Sequence, residues 1–395
     1  MANYFLKHKD EVCGLIKIDE TDGKVMNWKS FHTGMDPFLG NSTVENMKIW
    51  WMQRAVPGSR RMIEEAVKKS GSNGNMDYMV KNLGLSITDT YWICPVDCEL
   101  GWGNVSLHRQ KQFNEGKIPY HNFTSYDPNA ALGGQMEKYW DLNHDTPMLT
   151  KKASEHYGQQ AVNELLATMI HERQDSGVPY VKYSVSHTED GNLQSQCDAF
   201  TSETIELVSA YEIVSSQKQD NRISMYDAYI NLSVKNGVDA DEMQRYMDYQ
   251  TLTDFAITNT DEHLLNMGVI RNADDRRLIG VAPIYDSGNS MFFREETRER
   301  PFSRRELLEL EITSFYSSEE KMLKKVKDKN TIKTDLLPSP EEVRELYLSH
   351  NIPENKVGVI VGGYEKKVSF LNEFQNGKTI SLYNEKRREQ NAVRH

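Results

Sequence analysis

The chain has 395 residues, of which 38% are hydrophobic and 10% aromatic, a composition that predicts a folded protein of two or three domains. Its 47 Lys and Arg residues are outnumbered by 58 Asp and Glu, and the net charge of −11 argues against a general basic surface for nucleic acid or anionic lipid. Because it has no apolar leader and no apolar run of about 18 residues, we expect no export, no membrane span and a cytoplasmic protein.

The four cysteines are not spaced like a zinc site. Cys94 and Cys98 have three residues between them, while Cys13 and Cys197 stand alone. His171 in "HER" lacks the second histidine of an H-E-x-x-H motif. We therefore expect buried or free thiols and no structural metal.

Residues 1–120 are predicted to form a small α+β region. "EVCGLIKID" and "KVMNWKSFH" have the character of strands on either side of the turn "ETDGK". Two segments with helical spacing follow, "GSRRMIEEAVKKSG" and "MDYMVKNLGL", each ending near a glycine.

Residues 121–200 are predicted to form a hairpin, a helix and further strands. The hairpin consists of residues 136–142 and 148–152, joined by the polar turn "NHDTP". Residues 154–173 have the apolar spacing of a helix, with Ser154 as its expected cap. "VPYVKYSV" and "ELVSAYEIV" are predicted to be strands.

Residues 201–395 are predicted to be mainly helical. Helical spacing and end signals mark "SMYDAYINLSVKNG", "DADEMQRYMDYQTLTDFAITN", "SPEEVRELYLSHN" and "YEKKVSFLNEFQNG". One strand pair, "MGVIRN" and "LIGVAPIYD", is joined by the turn "ADDRR".

A group of polar residues precedes this strand pair in "NTDEHLLNMGVI". Asp261 and Asn266 are five residues apart, and Asp286 in "YDSGNS" follows at the far end of the hairpin. Phosphoryl transfer needs such parts, namely an acceptor for the proton of the nucleophile and hard oxygen ligands for Mg²⁺. The H-R-D order of protein kinases is absent, since His263 follows the aspartate as D-x-H-x-x-N. The alternative is a loop whose side chains only satisfy local backbone groups.

Upstream residues could complete a nucleotide site. Gly133 and Gly134 could let backbone amides approach phosphate oxygens, although two glycines often mark only a turn. Lys151 or Lys152 could reach the phosphates, and Glu164 could hold that lysine in place, but each alone also fits a solvated position. Because successive strand side chains point to opposite faces, only one of the two lysines faces the cleft, and burial does not decide between them.

These motifs resemble those of the HipA-like kinases, a family of bacterial toxins and stand-alone proteins. The resemblance rests on "ALGGQMEKYW", on "MLTKKAS" followed by "GQQAVNELLA", on "ITNTDEHLLNMGVI" and on "VAPIYDSGNSM", and it covers roughly residues 125–370. It implies an α+β, protein-kinase-like fold of two lobes, with ATP and Mg²⁺ as cofactors. The N-lobe (121–200) would have antiparallel strands, and the C-lobe (201–395) would be mainly helical.

The resemblance also implies roles for residues of the C-lobe. Asp261 matches the catalytic base, and His263 supports its loop. Asn266 and Asp286 match the Mg²⁺ ligands.

In the N-lobe, the resemblance implies a nucleotide site. Gly133 and Gly134 match the phosphate loop, Lys151 the ATP lysine and Glu164 its ion-pair partner. "SQCDAF" falls where the hinge between the lobes would pass the adenine through its backbone groups.

Two features separate this chain from the toxins of the family. Some members inactivate themselves at a serine just before the glycines, where this chain has Ala130, Ala131 and Leu132, and the nearby hydroxyls of Thr124 and Ser125 lie several residues away. Residues 1–120 match the N-terminal region of the toxin poorly. The toxin form, with an antitoxin partner, and the stand-alone form therefore fit equally well.

Three functions remain open at this point. The motifs favour a kinase acting on Ser or Thr of a protein substrate, since every ionic part is present. The second possibility is a non-catalytic nucleotide-binding or partner-binding module, whose function would stay intact after the loss of Asp261. A kinase for a lipid headgroup or small molecule would share the D-x-H-x-x-N order, but the acidic net charge weighs against the lipid.

Overall fold

The chain folds as an α+β protein with three antiparallel sheets and thirteen α-helices within the residues that the computed structural model describes. Those residues are 1–56, 60–109, 126–134, 136–218, 220–295 and 297–392. The predicted boundary between residues 120 and 121 lies outside them, as do Thr124 and Ser125.

Residues 1–109 form an N-terminal unit around a sheet of strand order β3-β2-β1-β4. Alternate residues of the first strand, Tyr4, Leu6 and His8, are buried, as period-two patterning requires. The strands are β1 Ala2–His8, β2 Glu11–Ile18, β3 Val25–Ser30 and β4 Tyr91–Pro95. The helices are α1 Val44–Arg54, α2 Arg61–Lys69, α3 Asn75–Lys81 and α4 Trp102–Val105.

The second sheet forms the N-lobe, with strand order β5-β6-β8-β7. Helix α5, Gln159–Gln174, packs against its central strands through Val162, Leu166 and Ile170, which are fully buried. The strands are β5 Lys138–Asp141, β6 Met148–Ala153, β7 Ser184–His187 and β8 Leu193–Asp198.

The C-lobe is mainly helical and contains the third sheet, of order β11-β10-β9. Its strands are β9 Ile205–Ser209, β10 Gly268–Asn272 and β11 Leu278–Val281. Its helices are α6 Ala210–Ser215, α7 Met225–Lys235, α8 Ala240–Ile257, α9 Arg304–Glu309, α10 Glu319–Leu323, α11 Pro340–Ser349, α12 Glu354–Gln375 and α13 Leu382–Ala392. Side chains of α5, α8 and α12 share one buried core, so these helices fix the lobes against each other.

Glu206 of β9 connects the C-lobe to the N-terminal unit. Its carboxylate accepts hydrogen bonds from Thr90 and lies 3.0 Å from His8 Nε2 and 2.8 Å from Arg271 Nη2, all of them buried. Burial alone would raise the pKa of Glu206, but Arg271 and His8 outweigh it and hold the pKa well below its usual range. The N-terminal unit is therefore attached by a buried ionic network.

The structure confirms the fold class and most of the predicted elements and corrects several boundaries. "ELVSAYEIV" is a strand only as far as Ser209 and then becomes α6, because Ser209 and Glu212 form a reciprocal capping box. Of "VPYVKYSV", only the last two residues lie in β7, and Tyr180 forms an isolated parallel bridge with Ile284. "LIGVAPIYD" leaves its strand after Val281.

The cap predicted at Ser154 was also wrong. Helix α5 begins at Gln159 after Gly158, whose φ of 80° lies in the left-handed region, and a short 3₁₀ turn at His156–Gly158 precedes it. A Cβ at Gly158 would lie 2.7 Å from the Leu193 side chain, which explains why glycine stands there.

Two expectations from composition can be compared with the described residues. The four cysteines are free, and Cys13, Cys94 and Cys197 are buried. No helix in the described part of the chain has both the length and the apolar character needed to cross a membrane.

Candidate active site

A buried lysine joins the N-lobe to the C-lobe. Lys151 of β6 is 3% exposed, and its Nζ lies 2.8 Å from Glu164 Oε1 on α5 and 2.7 Å from Asp286 Oδ1. Burial alone would lower the pKa of Lys151. The carboxylates of Asp286 and Glu164 outweigh this effect and raise the pKa of Lys151 well above its usual value. Conversely, burial would raise the pKa of Asp286, but Lys151 and Lys138 hold it at about 2.

The hairpin register decides which of Lys151 and Lys152 lies on the same face of the sheet as Lys138. Lys151 is paired with Lys138 of β5, so both project from the same face of the sheet. Lys152 is exposed, and its ammonium lies 6.0 Å from the ring of Tyr139. Desolvation in the cleft lowers the pKa of Lys138 to about 8, although Asp286 opposes this. The cavity is thus lined by Lys138 and Lys151 from one face of the sheet and also by the exposed Lys152, and sequence reasoning had not found Lys138.

Helix α5 also holds the segment that follows Asp286. The backbone N–H of Ser287 donates to Glu164 Oε2 at 3.0 Å. Asn163 Nδ2 donates to the carbonyls of Gly288 at 2.7 Å and Ser290 at 2.8 Å. One turn of α5 therefore positions both the lysine and the D-S-G segment.

The loop at residues 258–266 begins where α8 ends, at Thr258 with a left-handed φ of 53°. The Asn266 side-chain amide donates to the Asp261 carbonyl at 2.9 Å, which closes the five-residue spacing into a tight loop. His263 Nδ1 accepts the backbone N–H of Leu265 at 3.3 Å. His263 also lines the cavity, and its supporting role stays a prediction.

Both oxygens of the Asp261 carboxylate face donors from the segment after Asp286. Asn289 Nδ2 donates to Oδ2 at 2.6 Å, and Arg294 Nη2 lies 3.1 Å from Oδ1. Asp261 is 19% exposed, so the carboxylate remains reachable from the cleft. Asp261 thus lies next to Asn266 and at the wall of the cavity, and its role as a base stays a prediction.

Gly133 and Gly134 are held by an arginine of the N-terminal unit. Arg60 donates from Nη2 to the Gly133 carbonyl at 2.5 Å and from Nε to the Gly134 carbonyl at 2.8 Å. Gly134 has a φ of 91°, and a Cβ there would lie 2.6 Å from Lys138 Nζ, so the position requires glycine. The carbonyls of this loop are therefore fixed by a residue some 70 positions upstream.

All the predicted site residues except Glu164, which lies behind Lys151, line one cavity of about 1070 Å³. Small-ligand pockets usually measure about 300–1,000 Å³, so this one has room for a nucleotide and part of an acceptor. "SQCDAF" starts on β8, and Cys197, Asp198, Ala199 and Phe200 line the cavity. The segment thus lies at the predicted edge of the cleft.

Asn266 and Asp286 are the residues that could hold a metal ion. The Asn266 amide nitrogen is used on Asp261, which leaves its side-chain oxygen as the ligand atom, and Asp286 has its second oxygen beyond the one on Lys151. The described residues contain no group of three His, Cys, Asp or Glu side chains suited to a metal. Mg²⁺ commonly uses one or two protein oxygens with substrate phosphates and water, so these two residues fit it.

Sequence reasoning missed Arg60, Lys138, Asn289 and Arg294. Lys138 stands in the quoted motif "ALGGQMEKYW", so its proximity to the glycines was a usable signal. Asn289 likewise stands in the quoted motif "VAPIYDSGNSM", three residues after Asp286. Arg60 and Arg294 carry no such signal, because their contacts depend on the course of loops.

No protein family model matches the chain, and no curated protein sequence matches it. Among solved structures, HipA of Shewanella oneidensis MR-1, in a toxin–antitoxin complex with HipB and operator DNA, is similar with a TM-score of 0.56 and 12% identity. The similarity covers 95% of this chain and 100% of that one. The Helicobacter pylori proinflammatory kinase CtkA matches with a TM-score of 0.45 and 12% identity, over 60% of this chain and 93% of that chain.

The likeness to HipA extends into the N-terminal unit, since only 5% of this chain lies outside it. The likeness of fold therefore includes most of the N-terminal unit, where the sequence match is poor. The chain has a HipA-like kinase fold, and the resemblance inferred from its motifs is confirmed at the level of the fold.

Proposed function

We propose that the protein is a kinase that transfers the γ-phosphate of ATP to Ser or Thr of a protein, with Mg²⁺ as cofactor. The single observation that carries this proposal is the placement of Lys151, Asp261, Asn266 and Asp286 around one cavity. Phosphoryl transfer depends on positioning and charge, and these side chains supply both.

In the proposed reaction, the acceptor hydroxyl oxygen bonds to the γ-phosphorus while the bond from that phosphorus to the β,γ-bridging oxygen breaks. ADP leaves, and the hydroxyl proton passes to the Asp261 carboxylate. Lys151 and Lys138 would face the nucleotide phosphates, and Glu164 keeps the Lys151 ammonium in place.

Mg²⁺, when bound by Asn266 and Asp286, would neutralise charge on the phosphates. The Asn266 amide would also keep the Asp261 backbone in register, because it donates to the Asp261 carbonyl. Arg60 would hold the glycine loop closed against the cleft.

The test is incubation of the purified chain with γ-labelled ATP and Mg²⁺, followed by separation of protein, lipid and small-molecule products of a lysate. Label on Ser or Thr of proteins supports the proposal. Label only on lipid or small molecules would replace it with a kinase for those acceptors. Nucleotide binding without any transfer would indicate a non-catalytic module.

An antitoxin-like partner protein is a further part of the proposal. It is supported by the extent of the likeness to HipA, whose complex contains HipB and operator DNA. We propose no direct DNA contact for this chain, given its net charge of −11. Growth arrest on expression of the parent chain, absent with Asp261→Asn, would support a toxin role, and arrest by both would contradict it.

A further inference from the structure

The occupied carboxylate of Asp261 bears on which acceptors the protein takes. Asn289 and Arg294 donate to its two oxygens, at 2.6 Å and 3.1 Å. A carboxylate oxygen can accept two hydrogen bonds, so an acceptor hydroxyl that gives its proton to Asp261 uses a remaining lone pair and lies beside one of these donors.

Asn289 is the donor that stays. Its backbone carbonyl accepts from Thr260 N at 3.3 Å and from Thr260 Oγ1 at 3.1 Å. Its side-chain oxygen accepts from Gln160 Nε2 at 2.9 Å. With three further hydrogen bonds, Asn289 is fixed beside Asp261.

Arg294 is the donor that can move. Its side chain is 53% exposed, and among the described residues Asp261 is its ion-pair partner. The half-exposed guanidinium can therefore turn from Asp261 toward another anion at a smaller cost than a fully buried ion pair would impose.

The backbone nonetheless holds Arg294 at this position. Met291 and Phe292 both have left-handed φ values, 51° and 64°, which non-glycine residues adopt at a cost of roughly 1–2 kcal/mol each. Met291 N donates to the Ile257 carbonyl at 2.7 Å, and the buried Phe293 ring packs edge-on to His156 at 4.6 Å. The guanidinium is therefore delivered to the mouth of the cleft by an anchored turn.

The arginine charge then lies beside the reacting hydroxyl. Besides Asp261, two carboxylates of the described residues lie near this turn. Glu155 is exposed at the wall of the cavity, and Glu295 lies 3.8 Å from Arg298. A carboxylate or phosphate on the acceptor would replace Asp261 as partner, and the planar guanidinium can bind such a group through two hydrogen bonds.

We infer that Arg294 is a specificity-determining residue that selects Ser or Thr flanked by an acidic or phosphorylated residue. The inference rests on the proposed kinase function and names its acceptor class. The anion is assigned to the acceptor rather than to ATP because Lys138 and Lys151 already face the phosphate end of the cleft.

The test is a positional Ser/Thr peptide library with γ-labelled ATP, in which Asp, Glu, phosphoserine, Gln or Lys occupies each position around the acceptor. The parent should prefer the anionic residues at one or more positions by about fivefold or more, equivalent to about 1 kcal/mol. Arg294→Gln should lose that preference, and Arg294→Glu should favour Lys instead. Arg300→Gln is the matched control, since Arg300 is exposed and pairs with Glu306 away from the cavity.

Several results would overturn the inference. The parent chain could label peptides with no preference for anionic residues, or the preference could survive in Arg294→Gln. Arg294→Gln could also label all peptides more strongly by the same factor, or could change only the KM for ATP. Intact Mg-ATP binding with no labelled peptide would overturn it together with the protein acceptor. Loss of Mg-ATP binding in the parent chain would instead mean that the proposed function itself fails, and no kinase acceptor would remain to be selected.

Discussion

Lys151 Nζ lies 2.7 Å from a carboxylate oxygen of Asp286, which follows 135 residues later in the chain. The pair forms only when β6 of the N-lobe meets the segment after β11 of the C-lobe. It places the Lys151 ammonium beside Asp286, the predicted metal ligand. Since Glu164 holds the same lysine at 2.8 Å, two carboxylates fix the position of its ammonium in the cleft.

Replacement of the buried lysine should abolish most nucleotide binding. Lys151→Ala is expected to weaken ATP binding by at least about tenfold, or about 1.4 kcal/mol, because it removes the desolvated cation that we propose faces the phosphates. Glu164→Ala should give a milder loss, since the lysine stays but is no longer held. Titration with ATP measures both.

Lys152→Ala is the matched control for this prediction, because Lys152 is exposed on the same strand. It should bind ATP like the parent chain. Thermal melting must show that Lys151→Ala is folded, since it leaves two carboxylates without their cation. A defect in Lys152→Ala with normal binding by Lys151→Ala would refute the assignment.

Asp286→Asn should remove the Mg²⁺-dependent part of ATP binding. The carboxylate is a charged hard ligand, and its amide replacement is not. We expect the parent to bind ATP more tightly with Mg²⁺ than with a chelator, and the variant to bind about equally in both. Titrations under the two conditions measure this, and an unchanged Mg²⁺ effect in the variant would show that Asp286 is not a metal ligand.

Asp254 at the end of α8 should make the stability depend on pH. Burial raises the pKa of Asp254 from its usual 3.8 to about 7, although its hydrogen bond from Asn259 opposes this. Between these values the folded chain keeps the proton and the unfolded chain does not. The stabilisation is therefore full at low pH and is lost as the pH rises to about 7.

Asp254→Asn stays uncharged and still accepts from Asn259, so its stability relative to the parent should grow from pH 5 to pH 8 by roughly 1–3 kcal/mol. Thermal unfolding at both pH values measures the difference. Asp275→Asn, at an exposed turn residue paired with Arg277, should show no such growth. A pH-independent difference for Asp254→Asn would contradict the raised pKa.

The part of the site that depends on local spacing could be predicted from the sequence. Asp261 and Asn266 are five residues apart in one loop, so their meeting needs only a turn. The choice between Lys151 and Lys152 required the family resemblance, and the strand register of the structure agrees with it. The roles of these residues in ATP and Mg²⁺ binding stay predictions.

The periphery of the site could not be predicted, for three physical reasons. Arg60 reaches the glycine loop through tertiary packing of the N-terminal unit, which has no local signal. Arg294 reaches Asp261 because the backbone is left-handed at Met291 and Phe292, and methionine and phenylalanine do not indicate that conformation. In "ELVSAYEIV", the strand propensity of the residues predicts a strand throughout, but the capping box at Ser209 begins a helix there.

The comparison of phosphate transfer by the parent chain and by Asp261→Asn, both saturated with Mg-ATP, tests the proposed function most directly. The variant keeps the shape and an acceptor oxygen for Asn289 but cannot take the hydroxyl proton. We expect transfer to fall by about 10²–10⁴-fold with unchanged Mg-ATP affinity, while Asp275→Asn retains full transfer. Undiminished transfer by Asp261→Asn would contradict the assignment of Asp261 as the base, and with it the proposed kinase mechanism.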